Sequence, residues 1–275
     1  MDLSRALEIV TSTDKGMVRS TNEDAVLANP VCGFAILADG MGGYNAGEVA
    51  SGMATTLIGT ELEKAFAAGE PWRLEADGRL RAHVVLEAEI ARANGAIYQA
   101  AQSQPQYAGM GTTLVMAVFH DDKATVAHIG DSRLYRLRGE DFSQVTRDHS
   151  LLQEQIDSGM ITAEQARHSQ NKNLVTRALG VDPTVEPEIH EYGVQPGDIY
   201  LFCSDGLNDM VDDEEIGMTL QMLAANLELC AMQLVQMAND NGGRDNVSVI
   251  LVRVKESFPA PRRGGWLARL LAWFK

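Results

Sequence analysis

The chain has 275 residues, is 45% hydrophobic and carries a formal charge of −15; it holds enough apolar content for a substantial core, and its acidity argues against nucleic acid as a partner. Cys32, Cys203 and Cys230 are odd in number and widely spaced, so they frame neither a disulfide scaffold nor a zinc site and read as reduced and packed. The N-terminal residues lack a signal-peptide pattern and no apolar run is long enough to span a bilayer, which makes the cytoplasm the expected address.

In chain order, residues 6–13 alternate loosely and predict a first strand, and residues 25–28 predict a short second one. The polar loop between them places Arg19 four residues before Glu23 and Asp24. Alone, that spacing is a solvated loop ion pair; beside metal-binding carboxylates it becomes a bidentate clamp for phosphate. The apolar run Phe34 to Ala38 stops at Asp39 and turns into Gly40-Met41-Gly42-Gly43, which predicts a buried strand delivering a carboxylate and the Gly40 carbonyl to a tight turn. Val49, Met53, Leu57 and Leu62 predict a long helix over 46–66, and Val84, Ile90, Ala93 and Ile97 a second over 80–101, separated by Gly69 to Trp72. Strands follow at 114–119 and 124–129, joined by a hairpin turn at Asp121-Asp122, and at 133–137, turning at 138–141. Residues 148–179 loosen into short helices and polar loop and read as an inserted flap. Strands at 185–192, 199–203 and 246–254 and helices at 213–220 and 228–239 complete the body. Because strands fall early, in the middle and late while the two long helices fall together, an alternating β-α-β chain is excluded. The prediction is an α+β fold with two antiparallel sheets packed face to face and helices outside.

Asp39-Gly40 has a counterpart in Asp205-Gly206, which follows the apolar run 199–203; Asp131 follows another such run, and Asp245 precedes the last strand. One Asp-Gly pair is ordinarily a turn. Several strand-end carboxylates gathered from distant parts of a chain would instead form an all-oxygen site, which suits Mg²⁺ or Mn²⁺ and not zinc. No P-loop, Gly-x-Ser-x-Gly elbow, His-Glu-x-x-His or EF-hand loop is present, and the six histidines show no ligand spacing and read as surface or structural.

Arg19 with Glu23-Asp24, Asp39-Gly40-Met41-Gly42-Gly43, Gly111-Thr112-Thr113, Gly130-Asp131-Ser132-Arg133, Ser204-Asp205-Gly206-Leu207 and Arg244-Asp245-Asn246-Val247-Ser248 stand in the order found in the metal-dependent PP2C-type (PPM) Ser/Thr protein phosphatases. The chain resembles that family over about residues 6–254, in the manner of its bacterial single-domain members. The resemblance implies a four-layer α-β-β-α sandwich over a domain of residues 1–255, followed by a Pro/Arg linker and amphipathic tail over 256–275. It implies two tightly bound Mn²⁺ or Mg²⁺ ions and a weaker third. Asp39 would bridge the first two, with the Gly40 carbonyl and Glu23 on one and Asp205 and Asp245 on the other; Asp131 would hold the third with Asp205. Asp24 would orient a water, Arg19 would grip the substrate phosphate, and Thr112 would line the site on the substrate side. The implied reaction is direct hydrolysis of phosphoserine or phosphothreonine by a metal-bridging hydroxide, with no phosphoenzyme. Met41 departs from the animal pattern, where a histidine proposed as general acid stands; a thioether has no proton to give, which leaves a water on the third metal as the donor. Two alternatives are a catalytically dead signalling module, which should have lost metal ligands, and an enzyme acting on a small phosphorylated metabolite. The expected partners are phosphoprotein substrates and a cognate Ser/Thr kinase, with the chain acting as a monomer.

Outside the resemblance, Pro259-Ala260-Pro261 forms a stiff spacer before a tail holding two of the three tryptophans. At helical spacing Trp266, Leu267, Leu270, Leu271 and Phe274 share one stripe beside the arginines. The tail reads either as packing back on its own domain or being disordered, or as a peripheral contact with a protein or with anionic lipid at the inner face of the membrane.

Overall fold

The strands are β1 Leu7–Asp14, β2 Asp24–Asn29, β3 Phe34–Met41, β4 Gly111–Thr112, β5 Leu114–His120, β6 Lys123–Ile129, β7 Arg133–Arg138, β8 Asp141–Gln144, β9 Glu188–Gly193, β10 Ile199–Cys203 and β11 Val247–Val254. They come from a computed structural model that describes residues 2–43, 46–162, 165–166 and 174–261. One antiparallel sheet has the order β1-β11-β10-β7-β8 and the other β2-β3-β5-β6-β9, with the short β4 pairing β3. Helices α1 Ala46–Ala68 and α2 Arg81–Ser103 lie on the second sheet; α5 Asp213–Leu223 and α6 Leu227–Asp240 lie on the first, and the short α3 Leu151–Asp157 and α4 Asp205–Asn208 flank the site.

Three apolar layers hold these elements together, and strand alternation explains how one strand serves two of them. Along β3, Phe34, Ile36 and Ala38 pack under α1 and α2 with Ile58, Leu62, Leu86 and Ile90. Ala35 and Leu37, on the opposite face, join Val115, Phe119, Tyr200, Phe202, Ile250 and Val252 between the sheets. Leu201, Cys203, Val249 and Leu251 face Ile216, Leu220, Cys230 and Leu234 of α5 and α6. Because both faces of the central strands are covered, their sequences are continuously apolar. The predicted four-layer α-β-β-α sandwich is the observed one.

Several boundaries differ from expectation for identifiable reasons. β3 does not stop at Asp39 but continues two residues further, because Gly40 and Met41 find ladder partners in Thr112 and Gly111. β9 begins at Glu188, after Pro187, which has no N–H for the ladder. β8 and α4 were not predicted; each is only four residues long, too short for a periodic signal. The Asp121-Asp122 hairpin is as predicted, with both residues left-handed at φ 47° and 54°, the twist a two-residue hairpin prefers. Those aspartates also bind the chain's far end: Asp122 accepts from Ser257 Oγ and Phe258 N, and Asp121 accepts from Ala260 N. With Phe258 buried in the inter-sheet core, the packed body runs past residue 255 through Ala260, beyond the boundary expected from sequence. The tail stripe from Trp266 to Phe274, and the flap residues Gln170 to Asn173, lie outside the described residues.

Candidate metal centre

Arg19, Glu23, Asp39, Gly40, Met41, Gly42, Thr113, Asp131, Val175, Asp205 and Asp245 line one cleft of about 270 Å³. The cleft sits where β2, β3, β10 and β11 end on the same side of the sandwich. Antiparallel pairing sets Asp24 directly across from Asp39, and Asp205 enters on the first turn of α4 just after β10. Gly40 must be glycine: a Cβ there would lie 2.2 Å from the Gly47 carbonyl and 2.6 Å from the Glu23 carbonyl. Its N–H donates to that Glu23 carbonyl at 3.1 Å, so α1, the Glu23 loop and β3 are locked in close approach.

The carboxylates are held by hydroxyls and amides behind them. Ser204 Oγ donates to Asp24 Oδ2 at 2.8 Å and accepts from the Ser248 amide at 3.0 Å. The Asp39 amide donates to Thr113 Oγ1 at 3.0 Å, and that hydroxyl is paired with Ser132 Oγ at 2.7 Å. Asn246 clamps the N-terminal loop, its Nδ2 donating to the Lys15 and Thr21 carbonyls and its Oδ1 accepting from the Glu23 amide. Ser51 Oγ donates to the Glu23 carbonyl at 2.6 Å. None of these supporting residues was assigned a role from sequence, although Thr113, Ser132, Ser204, Asn246 and Ser248 lie within the quoted motifs and only Ser51 does not.

Packed together and drawn out of water, the carboxyls raise one another's pKa. Burial, chiefly, holds Asp39 well above the usual carboxylate range, reinforced by the charges of Asp24, Asp205, Asp131 and Asp245. Asp205 is raised likewise, by burial first and then by Asp131, Asp209 and Asp245. Burial lifts Asp24 to about 6 against the hydrogen bonds of Ser248 and Ser204, and lifts Asp131 to about 6 with help from Asp148. Glu23 is raised by burial, opposed by Arg19. Asp24 Oδ1 is buried with no hydrogen-bond partner. Such a set is under-neutralised, all oxygen, and open to a cleft, the donor chemistry that fits hard divalent cations.

The cleft gathers Arg19, Glu23, Asp39, Gly40, Asp131, Asp205 and Asp245, and Asp24 stands beside it, paired across the ladder with Asp39. Arg19 donates to Asp245 Oδ2 at 2.7 Å while remaining half exposed at the mouth. Thr112 is placed differently from the sequence expectation. It is fully buried, and its hydroxyl donates to the Asp39 and Thr113 carbonyls at 2.9 and 3.0 Å, so it positions the backbone that carries Asp39; the threonine facing the cleft is its neighbour Thr113. Met41 lines the cleft wall.

Fold and cleft together define a class: a sandwich of two antiparallel sheets flanked by helices, with a carboxylate-lined cleft at one end. The sequence pattern of the protein phosphatase 2C family matches residues 18–241, and the chain belongs to that family. It is 38% identical over 248 residues to the serine/threonine protein phosphatase PstP of Mycobacterium tuberculosis, covering 90% of this chain and 45% of that protein, so the chain spans about half the length of that relative. It is 36% identical over 255 residues to the protein phosphatase PhpP of Streptococcus pneumoniae, covering 91% of this chain and 98% of PhpP. Among solved structures, the PstP catalytic domain in complex with two manganese ions is similar with a TM-score of 0.78 at 37% identity, over 91% of this chain and 99% of that one.

Proposed function

We propose that the chain is a metal-dependent protein phosphatase that hydrolyses phosphoserine and phosphothreonine. The observation that carries this is the convergence of Glu23, Asp39, Asp131, Asp205 and Asp245 on one cleft with Arg19 at its mouth. Asp39, with Glu23 and the Gly40 carbonyl on one side and Asp205 and Asp245 on the other, would hold two divalent cations, Mn²⁺ or Mg²⁺; Asp131 and Asp205 would hold a weaker third. Bound there, such ions supply Lewis acidity, acidifying water and offsetting charge on the phosphoryl oxygens.

The chain's own residues do the rest. Arg19 presents guanidinium donors at the cleft mouth and fixes the phosphate in line with the attacking water. Asp24 accepts a hydrogen bond from that water and orients it, its other oxygen being anchored by Ser204. The water oxygen bonds to phosphorus and gives up a proton to solvent, the ester P–O bond breaks, and the serine or threonine oxygen takes up a proton as it leaves. That proton comes from solvent near Asp131, because Met41 has none to give. A catalytically dead module fits less well, since no carboxylate of the expected set has been replaced.

The test is hydrolysis of a phosphothreonine peptide with and without Mn²⁺, beside Asp39→Asn. Activity is expected to vanish on chelation and in the variant; activity surviving chelation would sink the reading. The cellular partners proposed with it are phosphoproteins and an opposing Ser/Thr kinase, with the chain monomeric. No helix among the described residues is long and apolar enough to cross a membrane, and the proposed route to a membrane is the basic, Trp-containing tail. Co-sedimentation with anionic vesicles should fall when the chain is ended at Pro261, a cut that leaves the buried Phe258 in place; equal partitioning would refute the tail's role.

A further inference from the structure

Behind the metal cleft lies a cluster that no sequence spacing announced. His128 and His149 are both buried, their rings stacked at 4.8 Å between centroids and 20° between planes. Glu188 sits directly across from His128 in the β6–β9 ladder and reaches His149 Nε2 at 3.1 Å. Ligand-type atoms of the three lie within 4.8 Å of one another, but the hydrogen bonds already engage them. His128 Nε2 donates to the Arg147 carbonyl at 2.7 Å. His149 Nδ1 accepts from the Gly130 amide at 3.1 Å, so its ring proton resides on Nε2 and is donated to Glu188. A cation would have to break these bonds; they account for the cluster as a relay from carboxylate to imidazole to backbone.

What the relay holds is the turn bearing Asp131. Gly130 is left-handed at φ 101°, and a Cβ there would lie 2.7 Å from the Thr113 side chain. His149 fixes this left-handed residue from both sides, its amide donating to the Gly130 carbonyl at 2.9 Å while its ring takes the Gly130 N–H. The same residue's carbonyl accepts from Thr176 at 2.8 Å, and its neighbour Ser150 bridges Val175, a residue of the cleft wall. His149 thus ties three things to one point: the Asp131 turn, the arm returning from the flap, and the β9 strand through Glu188.

We propose that Glu188 and His149 are positioning residues that set Asp131 for its cation and the Val175 arm against the cleft. This rests on the reading of Asp131 as the ligand of the weaker ion. Neither residue touches substrate. Removing the acceptor loosens the turn at Gly130 and leaves the two tight sites at Glu23, Asp39, Asp205 and Asp245 in place.

The experiment is Mn²⁺ calorimetry on the full chain, with amide hydrogen exchange over residues 128–133 and steady-state kinetics on a phosphothreonine peptide, for wild type, Glu188→Ala, Glu188→Gln and Asp131→Asn. Glu188→Ala should weaken the weakest Mn²⁺ step by about tenfold, the scale for residues that orient metal ligands, speed exchange at Gly130, and lower kcat with KM little changed. Glu188→Gln keeps an oxygen acceptor and should restore wild-type behaviour. A Glu188→Ala protein matching wild type in Mn²⁺ binding and exchange overturns the proposal, as does loss of all Mn²⁺ steps together with a lowered melting temperature, which is general loosening. An unchanged isotherm in Asp131→Asn instead overturns the reading of Asp131, and exchange at Gly130 then decides the relay by itself.

Discussion

Arg19 shows how one side chain can have two uses at different moments. Its ion pair with Asp245 is half exposed, and exposed pairs of this kind contribute little to stability. Its value lies in where it waits, with the guanidinium held over the carboxylates by a partner it can exchange for phosphate. Arg19→Ala is therefore expected to lower kcat/KM on a phosphothreonine peptide by about 10–100-fold, the loss of a charge-assisted bidentate contact. Mn²⁺ affinity should not fall, because Asp245 is freed and not lost. A parallel drop in Mn²⁺ affinity would show that Arg19 builds the metal site. The individual carboxylates were legible in sequence because each follows or precedes an apolar strand. Thr112 was misplaced because two adjacent threonines at a strand start point to opposite faces, and which one faces the cleft depends on the register of β4 against β3.

At the scale of elements, the site depends on a loop outside the ladders, held by several bonds, among them those of the Met17 and Val18 amides to the Gly243 carbonyl, and most extensively by one side chain. The segment from Lys15 to Glu23 has no ladder of its own; Asn246, at the start of β11, supplies three hydrogen bonds to it from a buried position. Asn246→Ala leaves the Lys15 and Thr21 carbonyls and the Glu23 amide to find other partners, at a cost of about 1–3 kcal/mol. The melting temperature should drop by several degrees, and Mn²⁺ binding should weaken through the displaced Glu23 even in the chelated and refilled protein. Unchanged Mn²⁺ affinity at a reduced melting temperature would confine Asn246 to stability. Nothing in the sequence spacing pairs position 246 with positions 15–23, because the pairing is created by β1 and β11 running antiparallel, with Asp14 opposite Val247. The histidine cluster was hidden for the same reason: His128 and Glu188 become neighbours only through the β6–β9 register. Strands and long helices, by contrast, announce themselves locally through period and length.

Over the whole molecule, the architecture was legible because each central strand is apolar on both faces and the two long helices are consecutive, and such a chain can bury itself only as layers. The less visible property is the strain of gathering so many carboxylates at one end of a chain already at −15. Asp24, Asp39, Asp131 and Asp205 all have folded pKa values raised above the 3.8 of a free aspartate. A raised carboxyl contributes stability that is fully present below its unfolded pKa and is lost as pH rises through its folded pKa, about 6 for Asp24 and Asp131. Buried His120, His128 and His149 act with the opposite sign, since their pKa values are depressed, by burial first, and they cost stability as pH falls below about 6.5. A single melting curve of the metal-free protein therefore mixes two opposing trends, and a difference between two proteins separates them. In chelator, Asp205→Asn removes one buried charge and lightens the repulsion on Asp131 and Asp39 without touching the histidines. It should melt above wild type at about pH 8, and the gap should close as pH falls through the carboxyl range and the wild-type group becomes neutral. With Mn²⁺ present the order should reverse, because the cation now stabilises the wild-type set by mass action and the variant has lost a ligand. A variant that melts below wild type in chelator at every pH would mean that Asp205 contributes to the fold itself, and that the carboxylates are not held in place against their own repulsion.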